Sequence, residues 1–354
     1  MSPALVRPLR VTAVLAALVV QAACAKHPGS YEAAATPAGV AEASATADAL
    51  SMFEARADGA ELEKSLLAFE KVLAANPTDR VALEYLTRGW YFYGDGYTDD
   101  KAVKIERWGK AISYGTRCIA QNSEIASKIA AGEKEKDAIA AARPEDAMCI
   151  YWTASALGKW GKEQSLSTTL KHLPTVKAYI AKVEEMDPTI WYYGPARYWG
   201  AYYAAIPSFA GRDTEVSAKY FDTSLKGAPN YLGTRVLRAE LNAVAAQDPT
   251  LFLTDLYAVL QSDPYVLPEI AAENLREQDK ARNLLAKKGE LFDKDALAAA
   301  IAAHPEPVFP TFRPPEAPAA SAATPAVAER PADATAPAAA GDAKERPADD
   351  GGAQ

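Results

Sequence analysis

The sequence predicts an all-α chain built as a helical-repeat solenoid, on three observations. From about residue 46 to 295 the apolar residues recur with a 3.6-residue period in most windows, and strand-like alternation is nearly absent. Within that stretch a short pattern returns, in which a large residue stands eight positions before a proline and aliphatic or small residues stand five and four before it. Both flanks differ in composition, which leaves the middle as the part able to bury a core.

The chain opens MSPALVRPLRVTAVLAALVVQAACAKH. Arg7 and Arg10 precede an apolar run from Val11 to Val20, too short to span a bilayer comfortably and followed by small residues, so residues 1–23 read as a secretory signal peptide. The mature protein is thereby expected outside the cytoplasm. Cys24, after Ala22 and Ala23, resembles the lipid-modified cysteine of bacterial lipoproteins. Gln21 stands where such sites usually carry Leu, so ordinary cleavage after the Ala23-Cys24-Ala25 triplet is the other reading. With acylation, Ala25 rather than Asp resembles the sorting rule for the outer membrane. Residues 24–45, rich in Ala, Ser, Thr, Gly and Pro, read as a flexible tether.

The repeats follow. SLLAFEKVLAANP places Phe69, Val72 and Leu73 before Pro77; SAKYFDTSLKGAP places Phe221, Ser224 and Leu225 before Pro229; FLTDLYAVLQSDP places Leu256, Val259 and Leu260 before Pro264. AISYGTRCIAQNS fits with Ala111, Gly115, Cys118 and Ile119 but ends in Ser123, and VKAYIAKVEEMDP is a weaker copy with Glu184 in an aliphatic position before Pro188. A large residue, a small residue for close helix approach and a terminating proline form the second-helix pattern of a tetratricopeptide-type repeat. The spacing between copies is irregular, so the fold class is a divergent tetratricopeptide-like solenoid over 46–295, with a charged helix-like insertion between Ile125 and Asp146.

Aromatic residues are concentrated in one part of this region. WYYGPARYWGAYYAAIPSFAGRD, from Trp191 to Asp213, holds eight rings in its first nineteen residues, and each ring buries ~150–250 Å² when covered. Pro195 suits the first turn of a helix carrying Tyr198, Trp199, Tyr202 and Tyr203 on one face, with Pro207 after its end. Gly200, Ala201, Ala204 and Ala205 leave the opposite side small. All six Trp and eleven of the seventeen Tyr lie between Trp90 and Tyr203. Trp152, Trp160, Tyr198, Trp199, Tyr202 and Tyr203 are therefore candidates for a ligand or partner surface, with Arg197 beside them as a guanidinium able to pair with a carboxylate.

Several functions are excluded or unsupported. A net charge of −8 and a pI near 5.2, without a basic stripe, argue against a nucleic-acid partner. The sequence carries no nucleophile elbow, zinc-protease motif, phosphate loop or cofactor fingerprint, and His172 reads as a surface or helix-end histidine. GDGYTDDK, with Asp95, Asp99 and Asp100, lacks the calcium-loop pattern and reads as an inter-helix turn with acidic capping. No metal site and no enzyme activity are expected. Cys118 and Cys149 fall on successive repeat helices, where a disulfide and a pair of buried thiols are both open readings. Residues 304–354, rich in Pro, Ala and charge, read as a disordered tail.

The run YGPARYWGAYYAAIPSFAGRDTEVSAKYFDTSLK, then YLGTRVLRAELNAVAAQDPTLFLTDLYAVLQSDP and PEIAAENLREQDKARNLLAK, resembles the T-component family associated with TRAP transporters, tetratricopeptide-like lipoproteins often called TatT. LTRGWYFYGDGYTDDKAVKIERWGKAISYGTRC and YWTASALGKWGK resemble its first half, so the likeness spans about 46 to 290. The resemblance implies an all-helical periplasmic protein that associates as a homotrimer and with the solute-binding protein of a TRAP system, helping to capture or hand over a small, often hydrophobic, organic ligand. The other reading of the same scaffold is a lipoprotein that holds extended peptides for envelope or secretion-machinery assembly.

Overall fold

A computed structural model describes residues 26–31 and 43–315; the signal peptide, Cys24 and residues 316–354 lie outside the described residues. The described chain is helical, with no strand among the described residues. The first helices are α1 (Ala43–Phe53), α2 (Gly59–Ala75), α3 (Arg80–Gly96) and α4 (Lys101–Ile119), each packed on the next. An irregular segment follows, with α5 (Ser123–Ala130) and α6 (Glu135–Ala138), before α7 (Ala147–Gln164), α8 (Leu166–Met186), α9 (Ile190–Ala205) and α10 (Thr214–Gly227). The last part comprises α11 (Gly233–Leu237), a π-helical turn at Arg238–Ala243, α12 (Val244–Ala246), α13 (Pro249–Gln261), α14 (Ala271–Ala286), α15 (Lys288–Leu291) and α16 (Lys294–Ala303).

Local chemistry sets the helix starts. Asp58, Asp79, Asp100, Asn122, Asp213, Asp248 and Asp293 each accept a backbone N–H of the first turn that follows, as does Ser165 for α8. Each such cap stabilises its helix by ~1 kcal/mol. The residues eight and five positions before the terminating positions are buried in every copy of the sequence pattern, including Phe69, Val72, Ile180, Val183, Phe221, Ser224, Leu256 and Val259. Small residues permit the close contacts. A Cβ on Gly200 would meet the Phe221 ring at 2.8 Å, and the Ser217 hydroxyl donates to Gly200 O at 2.7 Å, locking α10 onto α9.

Two hydrophobic cores result. The larger gathers α1–α4 and α7–α9 around Trp90, Phe69, Trp108, Ile112 and Tyr179; the smaller gathers α11–α16 around Phe252, Leu253, Leu256 and Phe292. Helix α14 serves both, with Ala272 in the first and Ala281 and Leu285 in the second.

The insertion is two short helices and 3-10 turns. Its ends are clasped: Asn122 Nδ2 donates to Asp146 Oδ2 at 2.8 Å and to Ala141 O at 3.1 Å. Beneath them Cys118 and Cys149 are joined as a disulfide with their Cα atoms 6.0 Å apart. A link across that sequence separation stabilises by ~3–4 kcal/mol in the chain-entropy account.

Of the stretch assigned to the tether, residues 26–31 are described, and His27, Pro28 and Tyr31 among them are half-buried against the body. His27 Nε2 lies 2.7 Å from Glu135 Oε1, and the His27 ring meets His172 edge-on, centroids 5.2 Å apart. His172, expected at the surface, is buried between His27 and Trp160 because this segment covers it. Burial disfavours the His27 cation, but the bond and charge of Glu135 outweigh burial and Lys171, so its pKa is raised. A raised pKa stabilises docking fully below the ordinary histidine value of ~6.5, and the gain is lost as pH rises through the higher docked value. With Glu135, Lys171 and His172 facing His27, amide exchange of Gly29–Tyr31 is expected to accelerate across that window; exchange with a flat pH dependence after correction for intrinsic rates would contradict it.

Candidate functional site: an aromatic wall around a left-handed turn

The aromatic stretch of the sequence does not form one helix face. Trp191, Tyr192 and Tyr193 have φ of 47, 57 and 58° with ψ of 56, 53 and 41°, a complete turn of left-handed backbone, and α9 is right-handed only from Gly194 onward. For bulky L-residues each such conformation costs roughly 1–3 kcal/mol and persists only where surrounding contacts impose it. Arg197 supplies them. One turn later in α9, its Nη1 donates to Tyr192 O at 2.9 Å, and its Nη2 donates to Trp191 O at 3.0 Å and to Tyr151 Oη at 2.9 Å. The guanidinium also lies 4.1 Å from the centroid of Tyr231.

The reversed turn sends Trp191 towards α3 and α7, Tyr192 onto Tyr231 and Tyr193 against Gly227 of α10. Trp191 meets Trp152 edge-on at 4.9 Å, Trp152 in turn meets Tyr151 at 5.0 Å and Tyr91 at 5.2 Å, and Tyr192 stacks on Tyr231 at 5.4 Å. Gly194 is required here, since a Cβ would sit 2.6 Å from the Tyr151 ring. Burial holds two phenols neutral, raising Tyr91 well above its ordinary value and pushing Tyr231 up to about 12. Burial likewise disfavours the Arg197 charge, which Tyr151 and Tyr231 offset, keeping its pKa raised. Arg197 has no carboxylate partner among the described residues; its guanidinium donates to two carbonyls and a phenol.

Helix α14 borders this wall with charge. Glu273 pairs with Arg56 Nη2 at 3.1 Å and Arg88 Nη2 at 2.7 Å, and Arg88 lies 4.2 Å from the Trp191 ring centroid. Further along, Asp95 Oδ1 pairs with Lys159 at 2.8 Å, and its other oxygen meets Lys280, which also pairs with Glu277 at 2.8 Å. Burial disfavours the Asp95 carboxylate, but Lys159 and Lys280 hold its pKa far below the usual range. Two donors facing this region, Trp152 Nε1 and Arg88 Nε, are buried with no hydrogen-bond partner among the described residues.

The predicted surface residues are divided among three places. Trp152 belongs to the wall and Arg197 props it from behind. Trp160 packs on His172, beneath the docked N-terminal segment. Tyr198, Trp199, Tyr202 and Tyr203 form a second group between α8 and α10, where Trp199 Nε1 donates to Glu184 Oε2 at 3.0 Å and Tyr203 stacks on Tyr220 at 5.9 Å. Glu184, the residue that breaks the repeat pattern, is thus the acceptor for an indole on the following helix. Tyr231 and Glu273 carry no sequence signal, because each acquires its role from contacts made far along the chain. Asp95, expected in an inter-helix turn, lies in the last turn of α3, and the cap that starts α4 is Asp100, whose Oδ1 accepts from Val103 N at 3.0 Å.

Among the described residues no group of His, Cys, Asp and Glu could hold a metal ion, and no helix is long and apolar enough to cross a membrane. An all-helical body whose rings converge on a buttressed turn, bordered by fixed ion pairs, has the make-up of a binding or accessory protein. The family model of the TRAP transporter T-component matches residues 59–292, and the chain belongs to that family. It is therefore an accessory component of TRAP transport, a transport family and not a known enzyme family. Among curated proteins none matches the sequence.

Proposed function

We propose that the protein is a lipid-anchored periplasmic accessory protein of a TRAP-type uptake system, with Cys24 as the acylated residue. Its helix pairs are divergent tetratricopeptide-like repeats whose aromatic wall receives a small, largely hydrophobic organic ligand bearing at least one acceptor oxygen, in exchange with the system's solute-binding protein. The observation that carries the reading is the indole N–H of Trp152, buried without an acceptor amid Tyr91, Tyr151 and Trp191. An unsatisfied buried donor costs ~1–3 kcal/mol, a cost that an acceptor on a ligand would remove. Two further elements belong to this proposal: association as a homotrimer and anchorage in the outer membrane. Tyr198, Tyr202 and Tyr203, in the separate α8–α10 group and backed by the buried Trp199, are the surface for the protein partner.

Native mass spectrometry of the protein taken from its own envelope tests the ligand. A small molecule bound to wild type is expected to be lost, or its occupancy lowered about tenfold, in Trp152→Phe, which keeps a ring and deletes the donor. Equal occupancy in Trp152→Phe would remove this role from the wall. Capture of envelope-assembly proteins instead of a solute-binding protein by the ordered region would favour the scaffold reading.

A further inference from the structure

The N-terminal segment Lys26–Tyr31 is fastened at four of its six residues, His27, Pro28, Gly29 and Tyr31. His27 is paired with Glu135 at 2.7 Å and faces His172; Pro28 lies 3.2 Å from where a Gly109 Cβ would be; Gly29, at φ +107°, leaves no room for a Cβ between Thr116 Oγ1 and the α4 backbone; and the Tyr31 hydroxyl bonds that of Tyr179. The strap therefore joins α4, α6 and α8. Only one residue stands between Lys26 and Cys24, a reach of at most ~7 Å, whereas a free chain from Cys24 to α1 would range over roughly 25 Å.

We propose that this strap fixes the orientation of the protein on its membrane: the face formed by Lys26, α6 and the first half of α8 lies against the lipid headgroups. The inference rests on the reading of Cys24 as lipidated. The charge of the face fits anionic headgroups. Lys26, Lys134, Lys136 and Lys171 are exposed around the strap, against the acids Glu133 and Asp137, while Glu135 is engaged by His27 and Asp137 pairs with Lys136 at 2.7 Å. In a chain with a net charge of −8 this is a locally basic face. The strap converts a lipid attachment that would leave the body free to tumble into one that selects which side meets the bilayer.

The test is a lysine footprint on the full chain. The acylated protein in phosphatidylethanolamine and phosphatidylglycerol vesicles, and the soluble Cys24→Ser protein, are treated with a membrane-impermeant amine-reactive ester and read by peptide mass. Labelling of Lys26, Lys134, Lys136 and Lys171 is expected to fall at least threefold on vesicles, with Lys226, Lys287 and Lys294, on elements away from the strap, unchanged. Gly29→Val, which cannot adopt the docked conformation in the space available, is expected to stay on the vesicles and regain labelling at those four lysines. Equal labelling of all lysines in a protein whose N-terminal peptide carries acyl chains overturns the orientation alone; an N-terminal peptide without acyl chains overturns the anchor and, with it, the orientation.

Discussion

Arg197→Leu is expected to lower the unfolding free energy by about 3–5 kcal/mol while leaving the helical content of the native state nearly unchanged. The side chain is 4% exposed, so its removal does not expose a new surface; it strips the donors from Trp191 O, Tyr192 O and Tyr151 Oη at once. Each acceptor left buried and unpaired costs ~1–3 kcal/mol, and the left-handed turn loses the contacts that impose it. Arg197→Lys is expected to recover less than half of the loss, because an ammonium cannot reproduce the planar fork that reaches both carbonyls and the phenol. Urea denaturation followed by far-ultraviolet dichroism gives the stability, and near-ultraviolet dichroism reports the rings. A change below about 1 kcal/mol with an unaltered near-ultraviolet spectrum would mean the turn is held by its rings and not by Arg197.

The second large effect belongs to Glu273. Burial disfavours its charge, but Arg88 and Arg56 outweigh that penalty and hold its pKa below the usual carboxylate value. A depressed pKa contributes stability that is present above the unfolded value of ~4.3 and is lost as pH falls through the lower folded value. Glu273→Gln therefore costs about 3–5 kcal/mol at pH 7, since the buried Arg56 and the half-buried Arg88 are left beside a neutral partner. Below that window the difference from wild type narrows, because wild-type Glu273 is then protonated as well. Urea midpoints of the two proteins from pH 7 down to 3 provide the check, and curves that stay parallel throughout would show that the ion pairs do not set the acid response.

Those two residues mark where sequence reasoning ends. Helix faces are local properties, so Phe69, Phe221 and Leu256 could be placed in the core from spacing alone, and Gly200 could be assigned to a close approach. The Trp191–Tyr193 turn could not be read this way. Three bulky residues ahead of a proline suit an ordinary first turn by propensity, and the left-handed path is imposed by an arginine whose anchoring to Tyr151 spans 46 positions. The same holds for Asp95, whose partner Lys280 is 185 residues away and converts an apparent capping residue into a buried ion. His172 was misplaced for a related reason: its cover is a segment whose composition reads as tether. Clustering of the rings joins Tyr198–Tyr203 and Trp152 in one expected surface, whereas the structure divides them between two groups, one on α9 facing α8 and α10 and one on α7.

Helix α14 has a mechanical consequence. Stacked helical repeats ordinarily behave as a row of neighbours, so that the terminal members fray first and damage spreads from the ends. Here α14 packs Ala272 into the core of the first helices and Leu285 into that of the last, and its Glu273 and Lys280 hold α3 from the side. The helix acts as a strut between the two cores, so neither can open without breaking contacts at the other. The body should then yield to denaturant, heat or a protease in a single step, as a closed frame does, and not one member at a time.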